Sequence, residues 1–163
     1  GRPDRRTFDL AAPLARFGFS GAQLRSAILW RDSSVVDPVT GQRRGISGEK
    51  PVEASIELSQ DVPAWRFNWG LQLEHIGERK TEYRYDEVKR KSEDAGWTLF
   101  AERRFGNHWR VRAEATDLFG RDFEETRDRY DGTRVDYAGR EIEQRRRVTP
   151  GYFSLSFRRS MGG

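Results

Sequence analysis

Polar and apolar residues alternate strictly with period two in several separate stretches of this chain. In Val52-Glu53-Ala54-Ser55-Ile56-Glu57-Leu58-Ser59 every even position is apolar and every odd one polar. From Trp65 to Glu74 the odd positions, Trp65, Phe67, Trp69, Leu71 and Leu73, are apolar. Trp109, Val111, Ala113 and Ala115 alternate with Arg110, Arg112, Glu114 and Thr116, and Phe153, Leu155 and Phe157 alternate with Ser154, Ser156 and Arg158. Successive side chains of a β-strand point to opposite sides, so each stretch predicts a strand with one apolar and one charged or polar face. Wound as helices, the same residues would scatter their apolar groups all round.

Three further strands complete the pattern. Leu24, Ser26, Ile28 and Trp30 share a face near residues 21–36. Trp97, Leu99 and Ala101 share one near 90–105, with Phe100 out of phase, and a short strand is expected near 5–13. The total is about seven strands in an all-β, antiparallel up-and-down meander. Short connections are expected near Arg16–Ser20, Gln60–Pro63 and Gly106-Asn107. Long, charged ones are expected near Asp37–Gly48, Tyr85–Ser92 and Gly120–Thr149. Alternate connections of a meander lie at opposite ends, so one end carries tight turns and the other long polar loops. Outer-membrane barrels have that asymmetry.

Composition narrows the solvent. Charged residues make up 34% of the chain and hydrophobic ones 35%, below the near-half expected of a soluble globular domain. The chain is nevertheless 12% aromatic, unlike a disordered one. Its apolar residues must therefore be spent on one face of something. No apolar run approaches the ~20 residues of a membrane-spanning helix, whereas a spanning strand needs only ~9–11 residues, half of them apolar. Cysteine is absent, which excludes a disulfide scaffold and a cysteine zinc site. The 30 basic and 26 acidic residues are intermixed, with no basic tract to suggest nucleic acid as a partner. The sequence opens on Gly1 with neither Met nor a signal peptide, as expected of a processed chain or a fragment.

Trp65, Phe105 and Trp109 fall beside the short-turn end, and Phe157 approaches it. Such rings suit a girdle at a membrane interface. Arg66, Glu102, Arg110, Arg112 and Glu114 lie on the opposite faces and are poor occupants of a dry sandwich core. They suit a watered barrel lumen or a plug.

The run Trp109-Arg-Val-Arg-Ala-Glu-Ala-Thr-Asp-Leu-Phe-Gly-Arg-Asp122 resembles the late strand of TonB-dependent outer-membrane receptors, which usually ends in Asn-Leu-Phe-Asp; Asp117 stands here for the Asn. Pro150-Gly-Tyr-Phe-Ser-Leu-Ser-Phe-Arg-Arg-Ser160 resembles their closing strand, with Met161-Gly162-Gly163 in place of the terminal aromatic. Asp37-Pro-Val-Thr-Gly41 and Gln60-Asp-Val-Pro63 are compatible with the same receptors. The resemblance covers most of the chain as architecture and its last third as motif. It implies a segment, residues 1–163, of a larger transmembrane barrel in the bacterial outer membrane. Earlier strands and an N-terminal plug would belong to the rest of the receptor. It also implies uptake of a scarce iron chelate, cobalamin or glycan, with energy relayed from an inner-membrane complex. The alternative is a soluble β-sandwich or lipocalin-like binding domain, in which the apolar faces pack on one another.

No catalytic constellation, metal set or cofactor motif stands out, and no enzyme activity is expected. His75 and His108 are far apart, no serine has a nucleophile-elbow context, and no glycine-rich phosphate loop is present. The loops are the candidate ligand contacts. Tyr83, Tyr85 and Asp86 lie in one mixed aromatic and charged run, Tyr130, Arg134 and Tyr137 in another. Such residues stack on and hydrogen-bond a sugar or chelate, or simply keep a loop solvated. Arg145-Arg146-Arg147 suits an anionic contact or a polar strand extension above the membrane.

Overall fold

The computed structural model describes residues 4–135 and 139–160. In chain order its strands are β1 (Asp4–Pro13), β2 (Ala22–Asp32), β3 (Val35–Val36), β4 (Arg43–Arg44), β5 (Val52–Val62), β6 (Phe67–Ile76), β7 (Arg79–Tyr83), β8 (Glu87–Glu93), β9 (Gly96–Phe105), β10 (Trp109–Thr116), β11 (Arg121–Tyr130), β12 (Arg140–Thr149) and β13 (Tyr152–Arg159). The chain is all-β. Seven of these strands form one antiparallel sheet in the order β1-β2-β5-β6-β9-β10-β13, which is an up-and-down meander.

The register keeps the alternation in phase from strand to strand. Phe8 faces Ile28, Leu24 faces Leu58, and Leu58 faces Leu71. Leu71 faces Leu99, Leu99 faces Ala115, and Ala115 faces Phe153. One face of the whole sheet is thereby apolar apart from Ser26 and Gln60. Between Arg6 and Asp32 at one end and Arg103 and Arg159 at the other it carries no charged residue. Nothing in the described chain packs over it. Strand neighbours in a sheet make the extensive contacts, and among the described residues four apolar side chains, Ala22, Val88, Phe100 and Ala115, are buried. Phe153 is 83% exposed, and Phe8, Ile28, Trp30, Ile56, Leu155 and Phe157 are exposed as well.

The opposite face carries Arg25, Glu57, Asn68, Gln72, Glu102, Arg110, Arg112 and Glu114. Phe100, out of phase in the sequence, sits on it for a local reason. A Cβ on Gly70 would meet the Phe100 ring at 2.5 Å, so the absent side chain makes room for the ring. The Arg112 guanidinium covers that ring at 4.1 Å, a cation–π contact.

The meander continues past the apolar sheet. A second sheet runs β12-β11-β8-β7, the same neighbour order as β13-β10-β9-β6. Each of these long hairpins is interrupted where the two sheets meet. β6 ends in a bulge against β5, with His75 at φ 61°. At Asp117 the backbone also turns left-handed, φ 50°, which Asp tolerates better than most residues. A Cβ on Gly151 would lie 2.4 Å from the Asp117 carbonyl oxygen, so the β12-to-β13 crossing requires glycine.

Two expected loops are corrected by this second sheet. Tyr85–Ser92 is mostly β8, and Gly120–Thr149 is mostly β11 and β12. Both faces of these strands are polar, so hydropathy shows no alternation there; opposite charges across the strands support the pairing. Across β11 and β12, Glu125 faces Arg145, Arg127 faces Glu143, and Arg129 faces Glu141. Opposite charges in such cross-strand positions stabilise the pairing. Arg145-Arg146-Arg147 is thus a strand extension. Trp65, expected to begin a strand, instead closes the 3-10 turn Pro63–Trp65, and Arg66 at φ 49° turns the chain into β6. The other short connections lie where expected, at Ala15–Phe17 with Gly18 and at Gly106–His108.

Candidate functional site

The three long excursions meet at the far end of the second sheet. The β2-to-β5 excursion begins with Asp37, whose carboxylate accepts hydrogen bonds from the Val39 and Thr40 amides at 2.8 and 3.1 Å. This is the turn chemistry of an Asp placed before Pro-Val-Thr-Gly. The same carboxylate accepts from Arg44 Nε at 2.5 Å and from one terminal nitrogen of Arg134 at 2.7 Å to each oxygen. Arg44 lies over the Tyr83 ring at 4.3 Å, and Arg134 approaches it at 5.6 Å. One carboxylate therefore joins the first excursion to the β7–β8 hairpin and to residues 131–135 after β11.

Asp37 is 1% exposed. Burial by itself raises a carboxyl pKa, but the hydrogen bonds from Arg134 and Arg44 and the two turn amides outweigh it, and the group is held well below the carboxylate range. Asp128 repeats the arrangement on β11. It is equally buried and held low against its own desolvation by Arg140 at 2.7 Å and Arg90 at 2.5 Å. On the other face, hydrogen bonds from Lys80 and Lys91 lower Glu82 to about 2.

The six residues singled out in the sequence divide by environment. Tyr83 is half-buried beneath the two arginines, and Arg134 is engaged by Asp37. Tyr85 is 64% exposed at the hairpin apex, and Asp86 beside it is exposed. Their carbonyls accept from the Arg134 and Tyr130 amides at 3.2 and 2.8 Å, which brings the two runs together. Tyr130 is half-buried, with the Arg140 guanidinium 5.9 Å from its ring. Tyr137 lies outside the described residues. Asp37 and Arg44 were not foreseen as parts of this cluster; the only local trace was the turn sequence after Asp37. Tyr85 and Asp86 present an aromatic ring and a carboxylate to solvent on a base fixed by the buried ion pairs. Among the described residues no group of His, Cys, Asp or Glu is arranged to hold a metal ion.

The charged face of the seven-stranded sheet forms a second polar surface. Near the short turns it opens into a groove lined by Asp61, Arg66, Asn68, Glu102 and Arg104. Above it Arg110 pairs with Glu102 at 3.2 Å and Arg112 with Glu114 at 2.7 Å.

No family model matches this sequence, and neither a curated protein nor a solved structure matches the chain.

Proposed function

We propose that this chain is a C-terminal barrel segment of a TonB-dependent receptor in the bacterial outer membrane, acting in the active uptake of a scarce nutrient of the iron-chelate, cobalamin or glycan class. The observation that carries the proposal is the uncovered, charge-free apolar face running in register across all seven strands, with a charged face behind it. In water such a surface is far larger than the exposed patches of soluble monomers. In a bilayer it is the surface a spanning sheet needs.

Its dimensions agree. Along β9 the charge-free stretch of this face from Trp97 to Arg103 is roughly 20 Å at ~3.3 Å per residue, and the run from Trp97 to the aromatic Phe105 fits the ~9–11 residues of a tilted membrane-spanning strand. Aromatic rings stand at both limits: Trp30, Trp97 and Phe119 at one, Trp65, Phe105 and Trp109 at the other. Tight turns lie beyond the second limit and charged strand extensions beyond the first. The soluble sandwich or lipocalin-like alternative requires a layer over the apolar face, and no described element supplies one.

In this proposal the edges β1 and β13 pair with strands from the rest of the receptor, since lipid does not tolerate open sheet edges. The plug occupies the charged side, the inner-membrane energy-coupling complex acts through the full-length receptor, and the small ligand meets the extensions near Tyr85 and Asp86. The test is electrophoresis of the natural full-length protein, extracted in mild detergent, with and without boiling. A heat-dependent mobility shift from the membrane fraction is expected. Recovery in the soluble fraction with unchanged mobility would overturn the proposal.

A further inference from the structure

The apolar face has an unbalanced pair of positive charges at its short-turn limit. Arg103 occupies the apolar side of β9, opposite Phe67 on β6 and Val111 on β10. Its guanidinium lies 5.2 Å from the Phe105 ring and lines an open groove with Trp65 and Phe67. Arg159 ends the same side of β13, opposite Trp109, with its guanidinium 5.5 Å from the indole. Neither arginine has a carboxylate partner among the described residues. The contrast within the face is direct: Arg6, at its other limit, is held by Asp4 at 2.9 Å.

Two guanidinium groups without a carboxylate partner, each set against an aromatic ring and both at the edge of a charge-free band, offer hydrogen-bond donors to an anion delivered at a fixed depth. Arg103 lies about 20 Å along the strand from Trp97 at the opposite limit. An arginine is costly at the bilayer midplane and cheap at the interface, where it reaches phosphate. Guanidinium matches phosphate oxygens with two parallel N–H donors, and the flanking rings suit the glycerol and upper acyl region.

We propose that Arg103 and Arg159, with Trp65, Phe105 and Trp109, bind the phosphate headgroup of an anionic glycerophospholipid on the outer surface of the sheet at its short-turn end. The proposal rests on the membrane assignment above.

The test is native mass spectrometry of the delipidated full-length protein in mild detergent, titrated separately with phosphatidylglycerol and phosphatidylcholine. Preferential retention of phosphatidylglycerol is expected, weakened about tenfold in the Arg103→Gln, Arg159→Gln double variant. Arg6→Gln is expected to leave it unchanged. Equal retention of the two lipids by the unmodified protein would overturn the site without recourse to any variant. So would undiminished retention by the double variant, or saturation by inorganic phosphate in place of lipid. Heat-dependent mobility, measured in parallel, separates the two proposals: its presence with no lipid preference removes the site and leaves the membrane assignment, whereas its absence removes both.

Discussion

The two sheets are built from the same long hairpins, yet they are held together by opposite means. In the seven-stranded sheet the side-chain alternation separates apolar from polar, and one face has no charge across its whole width. In the four-stranded extension both faces are polar, and many cross-strand neighbours carry opposite charges, although Arg127 also faces Lys89. Glu125 faces Lys91 and Arg145, and Arg127 faces Glu143. A continuous antiparallel backbone can thus pass from one environment to another if its side-chain rule changes at the crossing. Here the crossing is marked by the His75 bulge, left-handed Asp117 and glycine at 151. Burial follows the same division. The largest fully buried side chains among the described residues are Asp37 and Asp128, both held by arginines outside the apolar sheet.

Breaking the buried ion pairs should have the largest local effect. Asp37→Ala leaves Arg134 and Arg44 without their shared carboxylate, and loss of one partner of a buried pair costs about 3–5 kcal/mol. Hydrogen exchange should rise in residues 37–44 and 131–135, while β9 and β10 keep their protection. Leu71→Arg attacks the other sheet. A lipid-facing midplane arginine costs about 2–4 kcal/mol, so the full-length variant should fail to insert, read as loss of the heat-dependent mobility shift. Normal insertion and uptake by that variant would sink the lipid-face assignment. Gly70→Val forces a side chain into the Phe100 ring, and overpacking of this kind costs about 1–3 kcal/mol. A lowered unfolding temperature, with part of the loss recovered by Phe100→Ala, would place the strain at that contact.

Acid should distinguish the sheets more gently. Asp37, Asp128 and Glu82 are all held below the ordinary carboxylate value of about 4. A lowered folded-state pKa gives stability that is complete above the unfolded value and lost as pH falls through the folded one. The extension should therefore be unchanged from pH 8 to 5, weaken below about 4, and continue to loosen through about 2, where Glu82 titrates. Amide exchange measured against pH checks this, with the apolar sheet as internal control. The smallest effect is expected from Arg145→Gln. Its contact with Glu143 at 3.3 Å joins two exposed side chains, and such pairs contribute about 0–1 kcal/mol.

The apolar sheet could be read from the sequence because each strand declared its own face. Val52 to Leu58 and Phe67 to Leu73 needed no knowledge of their partners. The extension could not be read that way. Residues 121–130 have polar groups on both sides, and their strand character appears only when Glu125 and Arg127 are set against Arg145 and Glu143. The loop cluster was legible in part. Tyr83, Tyr85, Asp86, Tyr130 and Arg134 do converge, but Asp37 joins Arg134 from 97 residues away, and no local pattern announces such a pair. Phe100 looked like a lapse in alternation until Gly70 supplied the space beside it.

One feature of the apolar face bears on spectroscopy. Trp30, Trp69, Trp97 and Trp109 all project from it, and Trp65 lines its groove with Phe67 and Arg103. These are all five tryptophans of the chain. None stands on the charged wall. Intrinsic fluorescence from this segment is therefore a depth gauge for its surroundings, with emitters at both rims and Trp69 between them. Under the proposed membrane assignment, brominated acyl chains should quench them in an order set by height, while a quencher confined to the charged side should leave them bright.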